Sequence, residues 1–358
     1  MSTEFRWSVS ADGGNERWWQ EWDRLNAASF GTHPLFDSRA ARLLCRHFGG
    51  AALRYASLES GAGCAAQLIL EPDGFGRWRL FCPSQSGVGL AVFGPGVASR
   101  WQELHRLFRA LPGIGFALTL PYQDGPYSWT AQASGKLVHR MTLGTTMTVI
   151  TDTFDAYWDA RPKELRDNLR RRMKRPGNDG IAVRLAQVRE APLIADAVDR
   201  YADLESAGWK GKEGTAVGRA NVQGAFYRDL MRGYAASGDA RVAELYFDEK
   251  LVASRMLVGS AGMLVILKTT FDEALKNYSP GHLQLYLLMG ELIAERPGRP
   301  IEFYTKATRD WLLWATHTRI IETTTIYRSS LLARLAEVRR QKAAAAQAAG
   351  AKEEAVST

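Results

Sequence analysis

A mixed sheet flanked by helices, in the α/β (α+β) class, is the fold the sequence predicts. Three observations carry that prediction. The second half reads strand, two helices, three strands, helix, strand, helix, strand, and its three central strands are joined by turns short enough for hairpins. The first half has helices followed by short strands punctuated by Gly and Pro, as in EPDGFG and CPSQSG. The composition, 46% hydrophobic and 23% charged over 358 residues, suits a folded chain with room for two domains and a sizeable core.

Each element has a local reason. Trp18, Trp19 and Trp22 fall in an early helix. Residues 37–48 carry Ala40, Leu43, Leu44, His47 and Phe48 at helical spacing, with Ser38 placed to cap the start. Strand-like runs follow at 53–58, 65–70 and 78–81, then a helix at 99–110 and a strand at 115–120. The turn-rich stretch 121–135 reads as the passage between a domain over 1–145 and a second over 146–330.

In the second domain a basic helix spans 163–175 and is stopped by Pro176-Gly177. A strand at 181–187 precedes helices at 192–207 and 221–237. Strands at 241–247, 251–258 and 263–269 come next, and Ser279-Pro280-Gly281 opens a long apolar helix at 281–295. A strand at 301–305, a short helix at 310–316 and a strand at 319–327 complete the unit. The tail, 331–358, is rich in Ala and Lys and reads as a helix fraying into disorder.

Several classes are disfavoured. No apolar run approaches the roughly 20 residues that cross a bilayer; the best, 256–267, is bracketed by Arg255 and Lys268. The opening MSTEFRWSVSADGG has no apolar core for an export signal. Cys45, Cys64 and Cys82 form no CxxC pair and have no histidine at ligand spacing, so no metal is expected, and reduced thiols in the cytoplasm are the plain reading. P-loop, GxSxG and HExxH patterns are absent, and no helix-turn-helix, zinc-finger or RNP signature points to sequence-specific nucleic-acid reading. The net charge of +8 favours an anionic partner, and Arg166, Arg170, Arg171, Arg172, Lys174 and Arg175 concentrate that charge on one helix. A solvated helix face accounts for the run equally well.

Four blocks carry a family resemblance: PKELRDNLRRRMKR; DLESAGWKGKEGTA with FYRDLM; AELYFDEKLVASRMLV with MLVILKTTFDEALKNYSPGHLQLYLL; and IEFYT. Over residues 154–327 the sequence resembles the CelD/BcsL (BioF2-like) branch of the GNAT acyltransferase superfamily, related in shape to the FemAB transferases. The resemblance implies a GNAT-like mixed sheet, with the first half a degenerate copy of the same unit. It implies an acyl-CoA donor, acetyl-CoA or a longer one, and an amine acceptor that attacks the thioester directly in a ternary complex. Two departures stand out. The Q/R-x-x-G-x-G/A loop that holds the coenzyme A pyrophosphate is reduced to Tyr278-Ser279-Pro280-Gly281-His282-Leu283, and the last-strand region reads IEFYTKATRDW where relatives often have an Asp followed by a Tyr-Lys pair.

On that alignment Thr269, Tyr278, Ser279, Gly281, His282 and Leu283 hold the donor. A helix amino end offers free N–H groups and partial positive charge to a phosphate, although a plain helix cap has the same sequence. Lys268 ends the apolar run MLVILK, where it offsets negative charge or simply rims the strand. Asp272 is a general base or a turn cap. Glu205 is placed to remove an ammonium proton, with Trp209, Lys210 and Tyr304 at the acceptor. Two rivals remain: an aminoacyl-tRNA donor held by the basic helix, and a non-catalytic accessory of exopolysaccharide or cell-envelope assembly.

Overall fold

The computed structural model describes residues 4–304 and 307–356. The chain begins with β1 (Arg6–Ser10), α1 (Glu16–Phe30), α2 (Ser38–Phe48), β2 (Arg54–Ser60), β3 (Gly63–Pro72), β4 (Arg77–Leu80) and β5 (Ala91–Phe93). It continues through α3 (Gln102–Arg106), β6 (Ala117–Asp124), β7 (Val138–Val149), α4 (Phe154–Asp159) and α5 (Lys163–Asn178). Then come β8 (Val183–Val188), α6 (Ala191–Ala207), α7 (Trp209–Lys212), α8 (Val222–Ala235), β9 (Ala240–Phe247), β10 (Lys250–Gly259) and β11 (Leu264–Phe271). The last elements are α9 (Pro280–Glu295), β12 (Ile301–Phe303), α10 (Arg309–Leu312), β13 (His317–Tyr327) and α11 (Ser330–Val356).

All thirteen strands among the described residues join one sheet, in the order β1-β2-β3-β4-β6-β13-β7-β12-β11-β10-β9-β8, with β5 on β3. Every pair is antiparallel except β4 with β6 and β11 with β12. The order is therefore a pseudo-repeat read inward from both edges: four antiparallel strands, one parallel step, then one antiparallel strand. The final strand of each repeat is exchanged. β7 pairs with β12 of the second half, and β13 pairs with β6 of the first. The boundary expected at 145/146 falls inside β7.

Helices of the two halves pack as one layer. Tyr234 of α8 donates its hydroxyl to the Pro34 carbonyl at 2.7 Å, and the Arg39 guanidinium of α2 lies 4.1 Å from the Tyr234 ring centre. Trp19, Trp22, Tyr201, Phe226 and Tyr234 belong to one buried core beneath this layer. Trp22 is fully buried, and its indole N–H is satisfied by the Phe36 carbonyl at 2.6 Å, so burial leaves no orphan donor. A second core on the other face joins α9 to Met147, Val149, Tyr157 and Trp314.

Several local expectations change. α5 runs past Pro176 to Asn178, because a proline near the carboxyl end removes one donor and the following amides close the turn, Ile181 bonding to the Pro176 carbonyl at 2.8 Å. Asp37, not Ser38, caps α2 by accepting the Arg39 amide at 2.8 Å, while Ser38 binds Asp23 through its amide and hydroxyl. The helix expected over 99–110 is only α3 plus a 3-10 turn at Leu107–Arg109. The tail expected to fray is helical as far as Val356. No helix among the described residues is long and apolar enough to cross a membrane.

Candidate functional site

β11 and β12 are parallel over only three residues, Leu264–Ile266 against Ile301–Phe303. β11 then continues to Phe271 along β10, so its other edge is left without a strand partner among the described residues. The register slips at the point of separation: Met256 faces Lys268 and Leu257 faces Ile266, which makes Leu267 a bulge. A bulge sharpens the twist and turns the strand away from its neighbour. The result is a cleft of about 530 Å³ between the two strands. Its walls come from β11 (Val265 to Thr269, and Phe271), from Phe303 and Tyr304 at the end of β12, from Trp209, Lys210 and Tyr227, and from Leu35 and Ser84 to Gly87 of the first half.

The amino end of α9 closes one side. Ser279 is left-handed (φ 49°), and Pro280 contributes no N–H. The His282 and Leu283 amides both bond back to the Ser279 carbonyl, at 3.0 and 3.1 Å. The row of free donors expected across 279–283 is thus reduced, within this turn, to the Gly281 amide. A Cβ on Gly281 would lie 3.3 Å from the Phe271 ring, so a larger residue would push that ring outward by a few tenths of an ångström. Leu283 points into the core with Leu245, Phe247 and Val252. The Tyr278 hydroxyl donates to Asp179 at 2.7 Å, away from the cleft.

Beneath this turn lies Arg255, which was not singled out for the site. It is 1% exposed, donates to the Gly281 carbonyl at 2.8 Å and to Gln284 Oε1 at 2.6 Å, and has no carboxylate partner among the described residues. Burial lowers it to about 9. A charged residue inside the otherwise apolar run of β10 was the available signal. His282 stacks on Trp311, with ring centres 4.9 Å apart, and its Nδ1 has no partner among the described residues. Burial, helped by Arg255 and Arg172, lowers its imidazole to about 4, so it is neutral at pH 7. The basic helix α5 is adjacent, Arg175 donating to the Asn277 carbonyl at 2.5 Å.

At the opposite end Glu205, 2% exposed, accepts from Lys210 Nζ (2.5 Å), the Val217 amide (2.7 Å) and the Tyr201 hydroxyl (3.0 Å). It holds the loop rather than facing the cleft freely. Lys268 does line the cleft. It sits 5.7 Å from the Tyr227 ring centre and forms no ion pair among the described residues, and burial lowers its ammonium despite the nearby Glu205. Thr269 and the half-exposed Trp209 line the same space.

Asp272 does not line it. It caps the following 3-10 turn through the Ala274 amide at 2.9 Å and pairs with Lys250 at 2.7 Å. Burial would raise its carboxyl, but those two partners outweigh burial and hold it below the usual range, so it is a poor base.

Tyr304 is placed by both halves. Its hydroxyl donates to Asp124 Oδ2 at 3.0 Å and meets His33 Nε2 at 2.7 Å; since His33 Nδ1 accepts the Leu35 amide, Nε2 carries the proton. Arg319 bridges Asp124 (2.8 Å) and Glu302 (2.7 Å), tying β6 to β12 through β13. Thr305, the last residue of the IEFYT block, lies outside the described residues. No group able to hold a metal ion occurs among the described residues.

Residues 163–309 match the family model described as an acetyltransferase (GNAT) domain. A crystal structure of FemX superimposes with a TM-score of 0.56, at 10% identity, covering 87% of this chain and 97% of FemX. The fold is GNAT-like. A conserved protein of unknown function from Bacteroides thetaiotaomicron matches with a TM-score of 0.53, at 10% identity, over 86% of this chain and 97% of that one. The C-terminal DUF2156 domain of an Agrobacterium fabrum protein assigned as a lysylphosphatidylglycerol synthetase gives 0.52, at 14% identity, over 85% and 94%. At such identities the likeness concerns the GNAT fold. No curated protein sequence matches the chain.

Proposed function

We propose that this protein is an acyl-CoA-dependent N-acyltransferase whose donor lies in the cleft between β11 and β12. The unpaired edge of β11 beyond the Leu267 bulge carries this reading, because a strand edge is a ready partner for an extended, amide-bearing ligand. The coenzyme arm adds to that edge as a strand would. Its diphosphate lies at the amino end of α9, against the Gly281 amide, with Arg255 supplying the charge that the shortened loop lacks. The acceptor enters beside Trp209, Lys210 and Tyr304.

The amine nitrogen attacks the thioester carbonyl carbon, the carbon–sulfur bond breaks, the ammonium proton leaves, and the thiolate takes a proton. We assign the proton to Lys268: it faces the cleft, forms no ion pair among the described residues and has its pKa lowered by burial, so more of it is neutral at a given pH. Glu205 is assigned the positioning of Lys210. Lys268→Met is expected to lower kcat/KM roughly hundredfold.

Calorimetric titration with acetyl-CoA and longer acyl-CoAs tests the donor. Saturable one-to-one binding is expected, with stability rising by about 2.7 kcal/mol at a hundredfold excess over Kd. One observation favours a second reading, an aminoacyl-tRNA donor: the exposed arginines of α5 lie beside the α9 turn. Salt-sensitive binding of charged tRNA without any binding of acyl-CoA would replace the first reading with the second.

A further inference from the structure

A second cavity, of about 340 Å³, adjoins the transfer cleft. The two share Ser84, Gly87 and Tyr304, and Gly87 and Tyr304 form the throat between them. The second cavity is walled by the exchanged strands, with Leu143 and Thr146 of β7 and Ile321 of β13, together with Tyr122 of β6 and the segment 82–84.

Two of its polar side chains are already occupied, and its other hydroxyls belong to the exposed Ser84 and Tyr122 and the half-buried Thr145. The Thr146 hydroxyl donates to the Phe303 carbonyl, and the Tyr304 hydroxyl is taken by Asp124 and His33. Among the described residues no charged side chain lines it, and no buried side-chain polar atom of its walls lacks a partner. An apolar chain suits this space best, because Pro83, Leu143, Ile321 and the rings of Tyr122 and Tyr304 supply most of its walls and no charge waits there to be paired. The throat is open because residue 87 is glycine: a Cβ there would come within 3.6 Å of both the Tyr304 Cβ and Leu35.

We propose that this cavity receives the hydrocarbon tail of the acyl donor, so that the preferred donor carries a chain longer than acetyl. The proposal rests on the acyl-CoA reading above and adds the class of acyl group. The thioester stays in the cleft between β11 and β12, and the tail passes between Gly87 and Tyr304 into the space that β7, β13 and β6 enclose.

Calorimetry with acetyl-, butyryl- and octanoyl-CoA on the full chain tests it. Each buried methylene is worth up to about fourfold in affinity, so octanoyl-CoA is expected to bind at least about tenfold tighter than acetyl-CoA. Leu143→Trp, which fills the cavity, is expected to collapse that ratio to below about threefold. Ile321→Phe serves as a second filling variant should the first fail to fold. Equal affinities across the series in the unmodified protein overturn the proposal while leaving the donor reading intact. Absence of binding to every acyl-CoA overturns both. A chain-length dependence that appears with alkylamine acceptors and not with donors also overturns it, by giving the cavity to the acceptor.

Discussion

The two halves of the sheet end in the same way and do different things. Each runs four antiparallel strands into a parallel pair, β4 with β6 and β11 with β12. In the second half β11 outruns its partner, bulges at Leu267, and is followed by a sixteen-residue helix, α9. In the first half β4 stops at Leu80, and the helix in the equivalent place, α3, has five residues. The chain after β4 folds back onto β3, the Phe81 amide bonding to Ile69 at 2.8 Å and the Ile69 amide to Leu90 at 3.1 Å. Protein backbone thus bonds to protein backbone beyond β4, whereas the edge of β11 beyond β12 has no strand partner among the described residues. A strand that outlasts its neighbour, rather than the topology itself, separates a site from a scaffold.

The strongest way to break this comparison is to cut the tie between the halves. Arg319→Met leaves the buried carboxylates of Asp124 and Glu302 without their shared partner. A loss of about 4 kcal/mol in urea unfolding is expected, against less than about 0.5 kcal/mol for the exposed Phe75→Ser.

Next comes the donor turn. Gly281→Glu sets a side chain against the Phe271 ring and a carboxylate where a phosphate belongs, and should abolish the acyl-CoA thermal shift. Gly96→Glu, in the stretch before α3, where a Cβ meets nothing within 4 Å, should leave the shift within about threefold in apparent Kd. An intact shift in a folded Gly281→Glu protein would remove the donor from this turn.

A third test uses pH. His33, fully buried where the halves meet, is lowered to about 3 by burial and then by Arg319, and His282 is lowered to about 4. Both are depressed below the unfolded value near 6.5, so below that pH the unfolded chain binds more protons than the folded one. The stability they contribute is complete above about pH 6.5 and falls as pH drops toward 4, with a slope of up to about 1.4 kcal/mol per pH unit for each histidine. Urea midpoints at pH 7 and pH 5 measure this, and His282→Gln should flatten the slope. The smallest effect is expected from Trp209→Ala: under about 1 kcal/mol in stability, because the ring is half exposed, with any change confined to KM for the acceptor.

The second half was largely legible because its apolar runs are long and cleanly bounded. The hairpins around Asp248–Lys250 and 259–262, and the helix begun by Pro280, follow from local chemistry. β7 escaped notice. Met141, Leu143, Met147 and Val149 of its run VHRMTLGTTMTV do alternate with Thr142, Thr146 and Thr148, but the many threonines and Gly144 dilute the apolar face and the run follows directly on the turn-rich stretch read as an interdomain passage. At the site, Lys268, Thr269, Trp209, Lys210 and Tyr304 do meet around one cleft, because they sit at strand and helix ends that the topology converges. Asp272 went astray because its partner Lys250 comes from the neighbouring strand, a pairing that sequence spacing does not reveal. Arg255 was hidden for a similar reason, since its partners Gly281 and Gln284 lie on a helix packed across the sheet.

The exchanged strands bear on how the molecule is made. The segment that borders β6 is β13, made after every other strand among the described residues, so the half synthesised first waits with an unpaired edge until the second half has emerged. Fragments split near residue 150 would each carry the other's closing strand. Neither is expected to fold alone, and mixing them should restore the whole.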